Sequence, residues 1–185
     1  TKDIAVTSRM NHNTGEKTEI GKYAAKLIEQ DDFVYLDAGT TVSHMLEYIT
    51  TKDAVFVTNG ISHAQTLSRK GITVYLLGGM LKPATEAVIG LQAAESLERY
   101  HFTKGFFGTN GADREHGFTT PDPAEAMIKE NAMKKCRKSY VLADSTKISQ
   151  TAPVKFAEFS DAWLITTKVK DKELKKEKNI IEVRK

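Results

Sequence analysis

The chain has 185 residues, carries 27 lysines and arginines against 24 aspartates and glutamates for a net charge of +3, and is 40% hydrophobic. Those are the proportions of a soluble globular protein of about one domain, long enough to bury a core without staples. No apolar run approaches the ~20 residues of a membrane span, and no basic-then-apolar leader opens the chain. The single cysteine, Cys136, excludes a disulfide framework or multi-cysteine metal site and points to a reducing cytoplasm.

Residues 1–16 are polar, without periodicity, and begin with Thr1 rather than Met. They are expected to be a connector from an upstream segment, with residues 17–185 forming the domain. Short runs rich in Val, Ile, Phe and Tyr then recur at 33–37, 54–58, 72–77, 105–108, 139–143, 162–166 and 179–183. They scarcely alternate, as parallel strands covered on both faces do. Helical spacing fills the gaps: Ile20, Ala24, Leu27 and Ile28; Val42, Met45, Leu46 and Ile49; Ile61, Ala64 and Leu67; Ile128, Ala132 and Cys136. Strand then helix, repeated, predicts an α/β fold with a largely parallel sheet flanked by helices. Basic residues gather at Lys134, Lys135, Arg137 and Lys138 and again between 168 and 185, where Asp171, Glu173, Glu177 and Glu182 largely balance them. A solvated charged helix accounts for such runs better than a nucleic-acid patch.

In an open parallel sheet, ligands bind beyond the carboxyl ends of the strands. The first strand runs into Asp37-Ala38-Gly39-Thr40-Thr41. There Gly39 permits close backbone approach, and the hydroxyls and free N–H groups of a helix start favour a phosphate. A plain N-cap with a glycine turn fits the same residues. The second ends in Thr58-Asn59-Gly60, either polar ligands or an Asn-Gly turn. The third ends in Gly78-Gly79, best taken as a turn. After the fourth come Thr109-Asn110-Gly111 and then 116–122, a glycine- and threonine-rich stretch fit for a site loop or lid. Pro121 and Pro123 open a helix on which Glu125 and Lys129 stand four apart, a spacing that by itself favours a surface pair. The fifth strand ends in Asp144-Ser145-Thr146-Lys147, where Lys147 can meet a phosphate as a point charge, with Asp144 orienting it or binding a sugar hydroxyl.

Together these strand ends have the composition of a site for a small polyhydroxylated anion. No P-loop, dinucleotide fingerprint or nucleophile elbow occurs. The histidines at 12, 44, 63, 101 and 116 lack metal-ligand spacing; His116, beside the glycine-rich loop, is the one worth testing as a ligand contact.

At these loops the chain resembles the C-terminal effector-binding domain of the DeoR family of bacterial transcriptional regulators. The resemblance covers residues 16–167. It rests on the order and spacing of D-A-G-T-T at 37–41, V-T-N at 57–59, L-L-G-G at 76–79, G-T-N-G at 108–111, G-F-T-T-P-D at 117–122 and L-A-D-S-T-K at 142–147. It implies a fold related to ribose-5-phosphate isomerase, glucosamine-6-phosphate deaminase and CoA-transferase proteins, a phosphorylated sugar as effector, and no cofactor or metal. It also implies a homo-oligomer whose operator DNA is bound by a winged helix-turn-helix upstream of Thr1. Residues matching the family's ligand motifs are Asp37, Gly39, Thr40, Thr41, Thr58, Asn59, Gly108, Asn110, Gly111, Glu125, Lys129 and Lys147. The resemblance therefore raises Glu125 and Lys129 from a surface pair to site residues. G-F-T-T-P-D followed by E-A-x-x-K is most similar to the fructose-operon repressor branch, which implies fructose 1-phosphate or a relative. One departure is Thr166-Thr167-Lys168, where the family commonly has an acidic residue.

Two function classes follow: an effector sensor, or a sugar-phosphate isomerase or deaminase of the same fold. The enzyme would need a general base, for which Asp37, Glu125 and Asp144 are the candidates.

Overall fold

The computed structural model describes Ala5 and residues 13–183. Most of the expected connector, and His12, lie outside the described residues. Helix α1 (Thr14–Lys26) leads into β1 (Phe33–Leu36), the one-turn helix α2 (Thr40–Ser43), β2 (Val55–Thr58), α3 (Ile61–Arg69) and β3 (Val74–Leu76). A hairpin of β4 (Met80–Lys82) and β5 (Ala87–Ile89) and the short helix α4 (Leu91–Ser96) precede β6 (Phe102–Gly108). A second hairpin, β7 (Gly111–Asp113) and β8 (Gly117–Thr120), runs into α5 (Pro123–Lys134) and β9 (Cys136–Leu142). The last described strands are β10 (Val154–Ala157), β11 (Trp163–Thr166) and β12 (Ile180–Glu182).

The seven predicted runs form one sheet in the order β12-β11-β9-β6-β1-β2-β3, parallel at every pairing. From β1 the chain winds outward through β2 to β3, returns to β6 on the other side of β1, and winds outward again. The order therefore reverses between β1 and β6. Alternate side chains face opposite layers, as the two-residue period of a strand requires. Val34, Leu36, Phe56, Phe106, Leu142 and Ile165 pack with Ile20 and Ala24 of α1 and Leu67 of α3. Tyr35, Val57, Phe107, Val141 and Leu164 pack with Ala93 and Ala94 of α4 and Ile128 and Ala132 of α5. Burial on both faces is why these runs show little polar alternation.

At the amino ends of β1 and β6, Lys104 Nζ donates to Asp32 Oδ2 at 2.8 Å and to the Leu27 carbonyl at 2.7 Å. Burial alone would raise the Asp32 carboxyl. The hydrogen bonds from Lys104, Glu29 N and Thr103, with the charge of Lys104, outweigh it and hold the carboxyl below its usual range. The same end of the sheet carries Trp163, which opens β11 and is 43% exposed.

Several expectations need correction. Cys136 starts a strand, so the line Ile128–Ala132–Cys136 breaks after Lys134. Arg137 and Lys138 lie on that strand, and the C-terminal segment holds a three-residue 3-10 turn, Leu174–Lys176, and β12. The charged stretches are thus not a helix. The predicted helix over Val42–Ile49 is one α turn and a separate 3-10 turn at Leu46–Tyr48. The site loop after β6 is itself structured: β7 and β8 pair antiparallel, and β10 joins them as a three-stranded sheet.

Candidate functional site

A cavity of about 300 Å³ opens where the strand order reverses, the place where open α/β sheets bind ligands. Asp37, at the end of β1, and Gly108, at the end of β6, form its floor. Asp37 Oδ2 accepts from Gly108 N at 3.0 Å and from Lys129 Nζ, and Lys129 also donates to the Gly108 carbonyl at 3.0 Å. Asp37 and Lys129 are 2% and 6% exposed, so the pair locks α5 onto the switch point. A Cβ on Gly39 would stand 3.8 Å from Gly108 Cα, an ordinary packing distance, so the loops after β1 and β6 lie side by side.

The D-A-G-T-T loop is held from the neighbouring strand. Asn59 Oδ1 accepts from Ala38 N at 2.9 Å, and its Nδ2 donates to the Val88 carbonyl at 3.2 Å. Thr40 and Thr41 start α2. Because α2 spans only Thr40–Ser43, it offers an anion unsatisfied N–H groups and hydroxyls rather than a large macrodipole. Opposite stand Asn110, Thr120, Glu125 and Lys147. Thr120 Oγ1 donates to Asn110 Oδ1 at 3.2 Å. Asp122 caps α5 by accepting from Ala124 N at 2.8 Å, which sets the turn that presents Glu125. The β4–β5 hairpin supplies partners for that carboxylate: Thr85 Oγ1 at 2.7 Å and Lys82 Nζ at 3.4 Å. Glu125 and Lys129 thus point to different partners despite their helical spacing.

Of the twelve residues matching the ligand motifs, ten line this cavity; Thr58 and Gly111 do not. Thr58 is fully buried, its hydroxyl donating to the Leu36 carbonyl at 2.6 Å and accepting from Gly60 N at 3.0 Å. Gly111 sits in β7, where a Cβ would meet Gln150 O at 2.4 Å and Thr119 Oγ1 at 2.6 Å. His116 pairs with Asp113 at 2.5 Å with a 56% exposed side chain, away from the cavity. Asp144 is fully buried and bonds Thr146 N at 2.9 Å, shaping the turn that leads to Lys147.

Sequence reasoning missed Lys17. It is 1% exposed, lines the cavity and donates to Thr40 Oγ1 at 3.0 Å. The signal was present: Lys17, Ile20 and Ala24 share one stripe of α1 at i, i+3, i+7. A lysine on a buried stripe asks for a reason.

A larger cavity of about 730 Å³ backs onto the same loop. Its lysine, Lys70, is occupied by the carbonyls of Leu46, Glu47 and Ile49. Burial holds His44 and His63 below the usual imidazole range, Lys17 adding to the effect at His44. Size alone does not make this an anion site. Burial also pushes the Cys136 thiol up to about 12, which leaves the lone cysteine unreactive near neutrality.

The family model of the DeoR C terminal sensor domain matches residues 12–168. The chain belongs to this family. It is 46% identical over 160 residues to the uncharacterized HTH-type transcriptional regulator FruR of Bacillus subtilis, spanning 86% of this chain and 64% of the relative. With the HTH-type transcriptional repressor GlcR of the same organism it shares 35% over 162 residues, 87% of the chain and 62% of the relative. With the lactose phosphotransferase system repressor of Streptococcus mutans it shares 31% over 173 residues, 92% and 68%. The chain thus spans somewhat under two thirds of the FruR and GlcR lengths. In fold it is similar to ribose 5-phosphate isomerase A of Methanocaldococcus jannaschii, with a TM-score of 0.54 at 13% identity over 74% of this chain and 55% of that one. eIF2B delta of Chaetomium thermophilum gives 0.54 at 16% over 75% and 50%. Beyond β11, where this chain carries Thr166-Thr167-Lys168, Glu16 of α1 brings a carboxylate that accepts from Thr167 Oγ1.

Proposed function

We propose that this chain is the effector-sensing part of a DeoR-type repressor of sugar use, and that it binds a phosphorylated sugar in the switch-point cavity without transforming it. The observation that carries this reading is the cavity lining. Lys147, the N–H groups and hydroxyls of Thr40 and Thr41, and the amide of Asn110 converge on about 300 Å³, the lower end of ligand-site volumes. Among the described residues Lys147 has no ion-pair partner, so its charge suits a ligand phosphate, while Glu125 and Asn110 suit sugar hydroxyls.

Fructose 1-phosphate or a relative is the ligand favoured by G-F-T-T-P-D at 117–122 with Glu125 and Lys129 after it. A relative named for the lactose phosphotransferase system accords with sugar control. Operator DNA is bound by an upstream winged helix-turn-helix, in a cytoplasmic homo-oligomer whose heads the ligand rearranges. Among the described residues no helix is long and apolar enough to cross a membrane.

Thermal-shift screening of hexose and pentose phosphates tests the reading. A true effector at ~100 times its dissociation constant adds about 2.7 kcal/mol, and Thr40→Ala or Lys147→Ala abolishes that gain. An unchanged gain in both variants overturns the site assignment, and turnover of any of these sugars overturns the sensor in favour of an isomerase or deaminase.

A further inference from the structure

The first turn of α1 is fastened to two of the loops that frame the cavity and to the loop after β11. Asn13 Nδ2 donates to Asp144 Oδ1 at 3.2 Å. Glu16 accepts from Ser145 N at 3.2 Å, Ser145 Oγ at 3.0 Å and Thr167 Oγ1. Lys17 reaches Thr40 at 3.0 Å. One turn on, a Cβ at Gly21 would lie 2.6 Å from the His44 carbonyl, so α1 presses on the backbone just beyond α2. That contact fixes where Lys17 stands, four residues earlier on the same face.

Of the three lysines lining the cavity, Lys129 is held by Asp37 at its floor. The remaining lining lysines are Lys17 and Lys147. Glu16 links them: it binds Ser145, two residues before Lys147, and adjoins Lys17 in sequence. An anion drawing on both lysines must therefore act on the α1 turn and the Ser145–Lys147 turn together.

Resting on the sugar-phosphate reading above, we propose that the first turn of α1 is part of the effector site. Lys17 Nζ contacts the ligand phosphate beside Thr40, and the ties of Glu16 and Asn13 make the position of this turn follow occupancy. The helix that joins residues 1–12 to the sheet thereby carries a ligand contact. A ligand shifts an equilibrium only through contacts that differ between states; a charged contact on this turn supplies one.

The test uses the 185-residue chain in calorimetric titrations with fructose 1-phosphate, fructose 6-phosphate, glucose 6-phosphate and ribose 5-phosphate, with inorganic phosphate as competitor. Lys17→Gln, which keeps a donor for Thr40, is expected to weaken the best sugar phosphate by about tenfold or more, the loss of one charge-assisted hydrogen bond. Competition by inorganic phosphate should weaken in proportion. In the wild-type chain, saturating ligand is expected to slow amide exchange across residues 14–20 by about tenfold, and in Lys17→Gln that slowing is lost. Wild-type binding with unchanged affinity in Lys17→Gln overturns this inference and leaves the sensor reading standing. No binding of any of the four sugars by the wild-type chain overturns both. If Lys17→Gln fails to fold, wild-type exchange decides: no ligand-dependent change at 14–20 refutes the proposal.

Discussion

Two buried lysine–aspartate pairs bridge β1 and its surroundings at opposite ends of the sheet, and they serve different purposes. At the amino end, Asp32 and Lys104 are closed in by Leu27, Glu29 and Thr103, away from the switch-point cavity. At the carboxyl end, Asp37 and Lys129 are paired likewise but form a cavity floor. The same chemistry seals one end and equips the other. What differs is topology: only the carboxyl end has loops that diverge at the reversal of strand order.

The comparison can be broken most forcefully by removing one partner at a time. Lys129→Ala and Lys104→Ala each strand a buried carboxylate and should cost about 3–5 kcal/mol, read from urea midpoints, but only the former should affect ligand binding through the site itself. Replacing both partners separates the ends further. Asp32→Leu with Lys104→Met, and Asp37→Leu with Lys129→Met, should both leave stability near neutral. The first should keep sugar-phosphate affinity in calorimetry; the second should lower it about 100-fold, about two charge-assisted contacts. Equal affinities in the two double variants would show that the pairs are equivalent after all.

Acid sharpens the contrast through two different windows. The folded-state Asp32 pKa lies below the ~3.9 of an unfolded aspartate. Its contribution is complete above about pH 5 and is lost as pH falls through the folded value. The stability gap between wild type and Asp32→Asn should therefore close below about pH 4. Near the cavity, burial keeps His63 below its usual range, despite the opposing Asp37, Gly39 carbonyl and Glu86. The unfolded chain takes up that proton first, so stability begins to fall below about pH 6.5 and stops falling once the folded imidazole is protonated. His63→Gln should reduce the slope of this upper limb in unfolding curves measured from pH 8 to 5, His44, held low in the same way, keeping the rest. The smallest effect belongs to His116→Ala, within about 0.5 kcal/mol and without change in affinity, since its side chain pairs with Asp113 in solvent.

Long-period features were legible in the sequence because burial on both faces writes itself as apolar runs, and all seven parallel strands were found that way. The hairpins were not. Met80–Lys82 and Ala87–Ile89 are three residues long and lie outside the central sheet, pairing only with each other, so no long apolar run marks them. The site was legible where its residues follow strands directly, as at Asp37, Asn59 and Lys147. Thr58 was misjudged because a hydroxyl at a strand end serves a ligand or its own backbone with the same residue type. Lys17 was missed because it reaches the cavity from a helix that precedes the sheet.

The placement of Trp163 has an optical consequence. The lone tryptophan opens β11 beside Tyr140, whereas the cavity lies beyond the carboxyl ends of the strands. Filling the cavity should scarcely alter its emission, while unfolding should shift it to the red. Intrinsic fluorescence is thus a clean clock for the fold and a blind instrument for the ligand.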